Sequence, residues 1–209
     1  MSVCRLILPD QLSLSISSLQ RIEDSDRVLM IESYDYFTHV KHHKKKIAFL
    51  LSSMRHFADQ LMEKGINVIY MPLEQTKRND SLKKLLKAFI KQHAIEQCII
   101  TQPSEYHWQQ ELESCHQYAG CSVELLEDNR FLCTIEQFSQ FSQGKKQLRM
   151  EMFYRQMRQQ HQILMSGDKP IGGQWNFDQD NRKPPKSGLD VPETYQAKVD
   201  EKTQAVIAL

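Results

Sequence analysis

The sequence predicts an α/β fold, a five-stranded parallel sheet with helices on both of its faces. Short apolar runs, several of them ended by proline or by a polar pair, alternate with longer segments in which apolar residues recur every three or four positions. This alternation of buried strands with amphipathic helices is typical of a doubly wound sheet. Right-handed crossovers leave few strand orders open, and we expect the order 3-2-1-4-5, with the first strand in the centre.

The first predicted strand covers residues 5–8 and ends abruptly at Pro9. Proline has no N–H to give to a central strand, so Asp10 and Gln11 follow directly after the carboxyl end of this strand. Open α/β sheets bind ligands at that edge, above all where the strand order reverses. Pro9, Asp10 and Gln11 are therefore candidate ligand contacts, although a turn in which Asp10 caps the next helix explains the pattern equally well.

The second predicted strand, residues 27–31, ends at Glu32. If the first two strands are neighbours, Asp10 and Glu32 face the same crevice. The alternative is that each carboxylate caps a helix or pairs with a lysine. The segment that follows is rich in aromatic and histidine side chains. Three of these join the candidate contacts: Tyr36, His39 and His43.

The clearest helix covers residues 47–62 and begins after a run of three lysines, residues 44–46. Its apolar residues follow an i, i+3, i+4, i+7 pattern, and Gly65 ends it. Leu50 and Met54 lie on its apolar face. The lysines oppose the helix dipole. Three lysines at this position are explained if their side chains are solvated, or if an anionic ligand or domain lies nearby.

The rest of the predicted sheet follows the same alternation. Strands are expected at residues 66–71, 97–101 and 122–126, and helices at residues 82–90 and 105–118. Asn79 or Asp80 is expected to cap the first of these two helices.

After the fifth strand the sequence changes character. Thr134-x-x-Gln137 predicts a capping box at the start of a short helix. A second helix, residues 148–164, carries Arg149, Arg155 and Arg158 among methionine and aromatic side chains. Such a surface is typical of a protein interface or of a surface that binds nucleic acid. A helix packed on the sheet with its arginines in solvent explains it at least as well.

Residues 170–185, here called the Trp175 segment, have neither helical nor strand periodicity but contain two large aromatic residues and a diglycine. This composition predicts an ordered contact segment or an inter-domain linker, since a disordered linker normally lacks such aromatics. We expect three parts of the chain: an α/β domain over residues 1–132, a helical extension packed on it over 133–165, and an inter-domain linker with the start of a further domain over 166–209.

Composition argues against several classes of protein. The formal net charge is +1, so any basic surface has to be local. Only 7 glycines occur, and the first strand-to-helix turn contains none, which argues against a dinucleotide site built on a glycine-rich loop. The 5 cysteines form no Cys-x-x-Cys pair, and Cys4 and Cys98 are expected in buried strands. The odd number of cysteines and the absence of a signal peptide indicate a protein of the reducing cytoplasm. No apolar run approaches the roughly 20 residues that span a bilayer.

Six motifs occur in order and at fitting intervals along residues 3–186. They are Leu8-Pro9-Asp10-Gln11-Leu12, His42-His43-Lys44-Lys45-Lys46, Ser53-Met54-Arg55-His56-Phe57-Ala58, Arg130-Phe131-Leu132, Met150-Glu151-x-Phe153-Tyr154-Arg155 and Gly172-Gly173-x-Trp175-Asn176-Phe177-Asp178-x-x-Asn181-Arg182. Together they resemble the amino-terminal part of the deoxyribodipyrimidine photolyase-related proteins, the bacterial photolyases and cryptochromes that carry an iron–sulfur cluster. Each motif alone is weak, but six in register are a specific signal.

The resemblance implies a Rossmann-like sheet that binds an antenna chromophore, typically 6,7-dimethyl-8-ribityllumazine. It places the catalytic FAD and the ligands of a 4Fe-4S cluster in a larger helical domain that follows this one, which we expect this sequence to lack. The cysteines of the chain are then not cluster ligands, and the chain alone is expected to have no photorepair activity. In the whole protein the implied partners are that FAD domain and DNA, with no membrane.

Residues of the family's antenna site can be assigned to this sequence only at positions where the motifs match. Asp10 and Gln11 match the family, and Glu32 matches a carboxylate usually found at the end of the second strand. Pro9 stands where the family commonly has glycine, and the segment with Tyr36 and His39 departs from the usual pattern. In such a site Asp10, Gln11 and Glu32 could serve the polar edges of the chromophore, with Leu50 and Met54 forming the wall.

Two other functions stay open beside the antenna role. One is a free-standing nucleotide-binding module of the same sheet type, against which the missing glycine loop counts. The other is a nucleic-acid-binding adaptor that uses the lysine run at residues 44–46 and the arginines of the 148–164 helix.

Overall fold

The computed structural model describes residues 1–182, 184, 188 and 190–209, without the side chain of residue 180. The chain divides into two compact units, one formed by Met1–Arg130 with Val199–Leu209 and the other by Phe131–Lys198. No helix among the described residues is long and apolar enough to cross a membrane.

The first unit is built on a five-stranded parallel sheet whose order is β3-β2-β1-β4-β5, which confirms the predicted topology. The strands are β1 Val3–Ile7, β2 Arg27–Ile31, β3 Val68–Met71, β4 Gln97–Thr101 and β5 Ser122–Leu126. Every residue of the central β1 is buried, because neighbouring strands and helices cover it on all sides. Cys4 and Cys98 lie opposite each other on β1 and β4, fully buried as free thiols, which confirms their prediction as small core residues.

Four α-helices lie between these strands, and the three longer ones occur where the apolar periodicity predicted helices. They are α1 Tyr34–Thr38, α2 Lys44–Glu63, α3 Leu82–Gln92 and α4 Tyr106–Glu113. Gly65, with φ of +79°, ends α2 as predicted, because its backbone is in the left-handed region. The cap of α3 was wrongly predicted: Ser81 Oγ accepts the N–H of Lys84 at 3.1 Å, while Asp80 pairs with the side chain of Lys84. The short α1 was not predicted, and α4 is shorter than expected because a 3₁₀ helix, Ser114–Gln117, follows it.

Arg5 is a charged residue inside the central strand, and its partners explain its position. It is 6% exposed, and its Nε donates to the Asp26 carboxylate at 2.6 Å. The guanidinium also donates to the carbonyl oxygens of Ser18 and Arg21, at 2.8 and 3.0 Å. A buried cation requires this full set of partners. The set fixes the later part of the β1–β2 connection, residues 18–26.

The last helix of the chain, α8 Glu201–Ile207, packs on α2. Ser52 and Thr203 exchange a hydrogen bond at 2.7 Å, and His56 Nε2 lies 2.6 Å from Asp200 Oδ2. Residues 199–209, which the sequence analysis placed with the linker and the next domain, therefore belong to the first unit.

The second unit holds the remaining elements: α5 Ile135–Ser142, α6 Met150–His161, the hairpin β6 Met165–Ser166 with β7 Lys169–Pro170, and α7 Asp178–Asn181. The capping box of Thr134 and Gln137 is present, as predicted. In the Trp175 segment, the carbonyl oxygen of Trp175 accepts a hydrogen bond from Arg158 at 3.1 Å, and its half-buried ring lies beside the guanidinium groups of Arg155 and Arg158. Residues 183 and 185 of this segment lie outside the described residues.

Candidate ligand site at the carboxyl edge of the sheet

The strand order reverses beside β1, because β2 and β3 lie on one side of it and β4 and β5 on the other. A ligand site in a doubly wound sheet is expected at this switch point. Gln11 forms the floor there and is fully buried. Its Nε2 donates to the carbonyl oxygen of Thr101 at 2.9 Å, and its Oε1 accepts the N–H of Leu8 at 3.2 Å. The Gln11 side chain thus joins the ends of β1 and β4.

Asp10 lies above this floor and contacts an aromatic pair. Tyr36 from α1 donates its hydroxyl to Asp10 Oδ1 at 3.1 Å. The Tyr36 ring stacks on Trp108 from α4, with ring centroids 4.8 Å apart and planes 16° apart. Burial, and then the charge of Asp10, raise the pKa of Tyr36 above its ordinary value, so the hydroxyl remains a donor. The stack therefore bridges the elements that follow β2 and β4.

Two histidines extend the aromatic pair into a cluster of four rings. His39 stacks on the exposed His107 with centroids 5.1 Å apart, and both rings meet Trp108 edge to face. His39 Nε2 lies 2.9 Å from a carboxylate oxygen of Glu105, while its Nδ1 lies 3.1 Å from the Tyr36 carbonyl oxygen. These contacts place an ionisable rim beside the rings. Here the cluster of Tyr36, His39, His107 and Trp108 is called the ring cluster.

Arg130, which follows the fifth strand, adds a cation to this edge of the sheet. Arg130 donates to the backbone carbonyl oxygen of Asp10 and pairs with Asp128 at 2.6 Å. The hydrogen bond to Asp128 raises the pKa of Arg130. The Arg130 side chain is 27% exposed, so it remains accessible beside Asp10.

Two polar atoms of this edge have unused hydrogen-bonding capacity. Within the described residues, Oδ2 of Asp10 accepts no hydrogen bond and the buried Nε1 of Trp108 donates none. Leaving a buried donor unpaired costs about 1–3 kcal/mol. A ligand that offers an N–H to Asp10 would satisfy the free carboxylate oxygen, whereas the Nε1 of Trp108 lies inside the protein. In the same described ranges, no three His, Cys, Asp or Glu side chains are grouped to bind a metal ion.

Glu32 follows β2 but has a different environment from Asp10. It is fully buried, and Arg55 of α2 binds both of its oxygens, at 2.8 and 2.9 Å. The Tyr70 hydroxyl donates to Oε1 and the N–H of Leu73 to Oε2. The hydrogen bond to Glu32 raises the pKa of Arg55, and burial raises that of Tyr70. With four donors on its two oxygens, Glu32 joins β2, α2 and the turn after β3.

The structure brings three of the candidate contacts together, Asp10, Tyr36 and His39, over the buried Gln11. The others have different surroundings. Met54 is fully buried in the core, Leu50 is half-buried on α2, Pro9 is buried, and the exposed His43 caps α2 by accepting the N–H of Lys45 at 3.1 Å.

Sequence reasoning did not select the other members of this edge: Glu105, His107, Trp108 and Arg130. Glu105 follows β4 and Arg130 follows β5, as Asp10 follows β1. The rule that selected Asp10 would therefore have selected these two residues as well.

A family model described as "Deoxyribodipyrimidine photo-lyase-related protein" matches residues 5–209 of the chain. A (6-4) photolyase of Agrobacterium fabrum (strain C58 / ATCC 33970) is 36% identical over 208 residues, which is 99% of this chain and 41% of that protein. The chain thus spans about two fifths of the length of this relative. A protein of Acanthamoeba polyphaga mimivirus, described as "Uncharacterized protein R852", is 27% identical over 187 residues, which is 85% of this chain and 92% of that protein.

Proposed function

Because this chain belongs to the deoxyribodipyrimidine photo-lyase-related protein family, we propose that it is the antenna domain of a light-dependent DNA repair protein. In this proposal it binds an aromatic chromophore at the carboxyl edge of its sheet. The observation that carries the proposal is the open carboxylate of Asp10 beside the ring cluster at the switch point. A light-harvesting site performs no bond chemistry, so it requires a flat apolar surface and polar atoms that orient the chromophore.

The residues fit 6,7-dimethyl-8-ribityllumazine, which has a flat ring with N–H and carbonyl groups and a polyhydroxyl chain. Asp10 Oδ2 would accept from the ring N–H, and the polar side chains of His39 and Glu105 would serve the hydroxyl chain. A third ring between Tyr36 and Trp108 would need their planes about 7 Å apart. Their centroids are 4.8 Å apart, so the chromophore would pack against the outer side of the ring cluster.

When bound, such a chromophore absorbs light and passes the excitation through space to a flavin. The residues of this chain hold and orient its ring and exclude water from it. We assign flavin chemistry, any iron–sulfur cluster and DNA repair to the remainder of a longer protein, because the chain matches only 41% of the length of the (6-4) photolyase. The 209-residue chain alone should then remove no lesion from irradiated DNA under blue light, and any light-dependent repair by it would contradict this assignment.

The test is a titration of the protein with 6,7-dimethyl-8-ribityllumazine, followed by the fluorescence of the lumazine. We expect one binding site and a loss of affinity of at least tenfold in Asp10→Asn, about 1.4 kcal/mol, because the ring N–H loses a charged acceptor. Asp24→Asn is the matched control, since Asp24 is exposed before β2 at the opposite end of the strands. Equal affinity of Asp10→Asn and the wild type would place the chromophore elsewhere or exclude it.

A further inference from the structure

The second unit contains a cavity of about 530 Å³ that the proposed antenna function does not use. One wall is formed by Arg149, which directly precedes α6, and by Met152, Gln156 and Gln159, which follow it along one face of α6. The end of α5, the connection between α5 and α6, and the ring of Trp175 form the other walls. Sites for small molecules typically have volumes of about 300–1,000 Å³, so this cavity is large enough for a ligand.

Every ionisable residue that lines the cavity is a cation: Lys145, Arg149 and Arg155. Arg155 pairs with Glu151 one turn earlier, at 2.9 Å. Within the described residues, neither Lys145 nor Arg149 has an ion-pair partner. Cations gathered in a concave site without a carboxylate lining repel one another, and an anionic ligand relieves that repulsion.

Aromatic and amide side chains accompany these cations. Trp175 is half-buried, so part of its ring is accessible, and the hydrogen bond from Arg158 to its carbonyl oxygen holds it in place. Gln156 and Gln159 can both donate and accept hydrogen bonds. They lie about 10–15 Å along α6 from Arg149, at a rise of 1.5 Å per residue. The cavity therefore has Lys145 and Arg149 at one end and, at the other end, two amides and a flat ring that lies beside the guanidinium of Arg155.

We propose that this cavity binds a nucleotide, with its phosphate at Lys145 and Arg149 and its base against Trp175. A phosphate ester needs cations with free N–H donors, and a base needs a flat ring to stack on and amides at its edges. The nucleotide can be a free mononucleotide or one unit of a single strand, since both present the same base and phosphate. The proposal does not depend on the antenna function, because all the residues it uses lie in the second unit.

Isothermal titration of the 209-residue chain tests this, with thymidine 5′-monophosphate, thymidine, inorganic phosphate and hexathymidylate as separate probes. We expect the monophosphate to bind at least tenfold more tightly than thymidine or phosphate, because only it fills both ends of the cavity. If the ligand is one unit of a single strand, hexathymidylate should bind more than tenfold more tightly than the monophosphate. Its log K should then fall with the logarithm of the salt concentration, with a slope of about −0.7 for each phosphate contact. Equal affinities identify the free nucleotide. Phosphate as tight as the monophosphate, or no binding of any probe at millimolar concentration, overturns the proposal.

Two variants locate the site. Lys145→Gln with Arg149→Gln should weaken binding of the monophosphate at least tenfold, while Lys146→Gln with Lys169→Gln, which removes the same charge from exposed positions of this unit, should change it less than twofold. Trp175→Leu should weaken binding of the monophosphate at least fivefold but leave that of inorganic pyrophosphate within twofold. Circular dichroism spectra and melting temperatures establish that each variant folds. Equal binding by the two double variants would contradict the proposed site.

Discussion

Asp10 and Glu32 are the two carboxylates that follow neighbouring strands of the sheet, yet their surroundings differ completely. Glu32 accepts hydrogen bonds from Arg55, Tyr70 and the backbone of Leu73, and is fully buried. Asp10 is half-buried, and in the described part of the chain its carboxylate accepts only the Tyr36 hydroxyl. The difference shows that position after a strand does not decide whether a carboxylate can bind a ligand. The supply of donors from neighbouring elements decides it.

The largest expected effect is on stability, when Glu32 is removed. Glu32→Ala leaves the guanidinium of Arg55 without its bidentate partner, and we expect it to lower the free energy of unfolding by about 3–5 kcal/mol. Asp10→Ala should lower it by only about 1 kcal/mol, because solvent reaches the half-buried carboxylate and a single hydrogen bond is lost. Urea denaturation of both variants measures the difference. Equal losses of stability would contradict the contrast between the two sites.

Two matched tyrosine variants sharpen the comparison at the level of one hydroxyl group. Tyr70→Phe removes a donor from the buried Glu32, and Tyr36→Phe removes the donor from Asp10. We expect a loss of about 1.5–3 kcal/mol for Tyr70→Phe and about 0.5–1.5 kcal/mol for Tyr36→Phe, since water can replace a donor only at the partly exposed carboxylate. Thermal and urea unfolding provide these values. A larger loss for Tyr36→Phe would show that Asp10 is the more dependent of the two carboxylates.

The smallest expected effect is at an exposed ion pair, between His56 of α2 and Asp200 before α8. The hydrogen bond to the Ser52 carbonyl oxygen, and then Asp200, raise the pKa of His56, while partial burial and the charge of Lys202 oppose this rise without cancelling it. Because the pKa of His56 is raised in the folded state, the protonated His56 stabilises the fold. This stabilisation is complete below the ordinary pKa of 6.5 and is lost as pH rises through the raised pKa.

The stability difference between the wild type and His56→Gln should therefore be larger at pH 6 than at pH 8.5. Asp200→Asn should reduce this dependence on pH, since hydrogen bonds from Thr203 and the contact with His56 hold the pKa of Asp200 at about 2, so that it is ionised throughout this range. Urea denaturation at the two pH values measures both variants. A difference that grows with pH would have the wrong sign for this ion pair.

The sheet could be predicted from the sequence because local patterns determine it. The apolar runs, Gly65 after α2 and the capping box at Thr134 each depend on residues close in sequence. The contrast between Asp10 and Glu32 depends on contacts between distant residues. Arg55 and Tyr70, the partners of Glu32, come 23 and 38 positions after it. Their approach follows from the packing of α2 and β3, which no local pattern specifies.

The ring cluster was only partly predictable for a similar reason. Tyr36 and His39 belong to a segment whose unusual composition drew attention to it. Trp108 lies in a helix with ordinary amphipathic spacing, where a large apolar residue indicates the core and nothing more. Its contact with Tyr36 depends on α1 and α4 following strands on opposite sides of β1.

The most direct test of the account compares the lumazine affinities of Asp10→Asn and Glu32→Gln in protein shown to be folded. Glu32→Gln keeps the shape of the side chain and removes its charge in a place where Arg55 and Tyr70 already occupy both oxygens. The account predicts at least a tenfold loss of affinity for Asp10→Asn and less than a twofold loss for Glu32→Gln. A tenfold loss in Glu32→Gln with unchanged affinity in Asp10→Asn would contradict it.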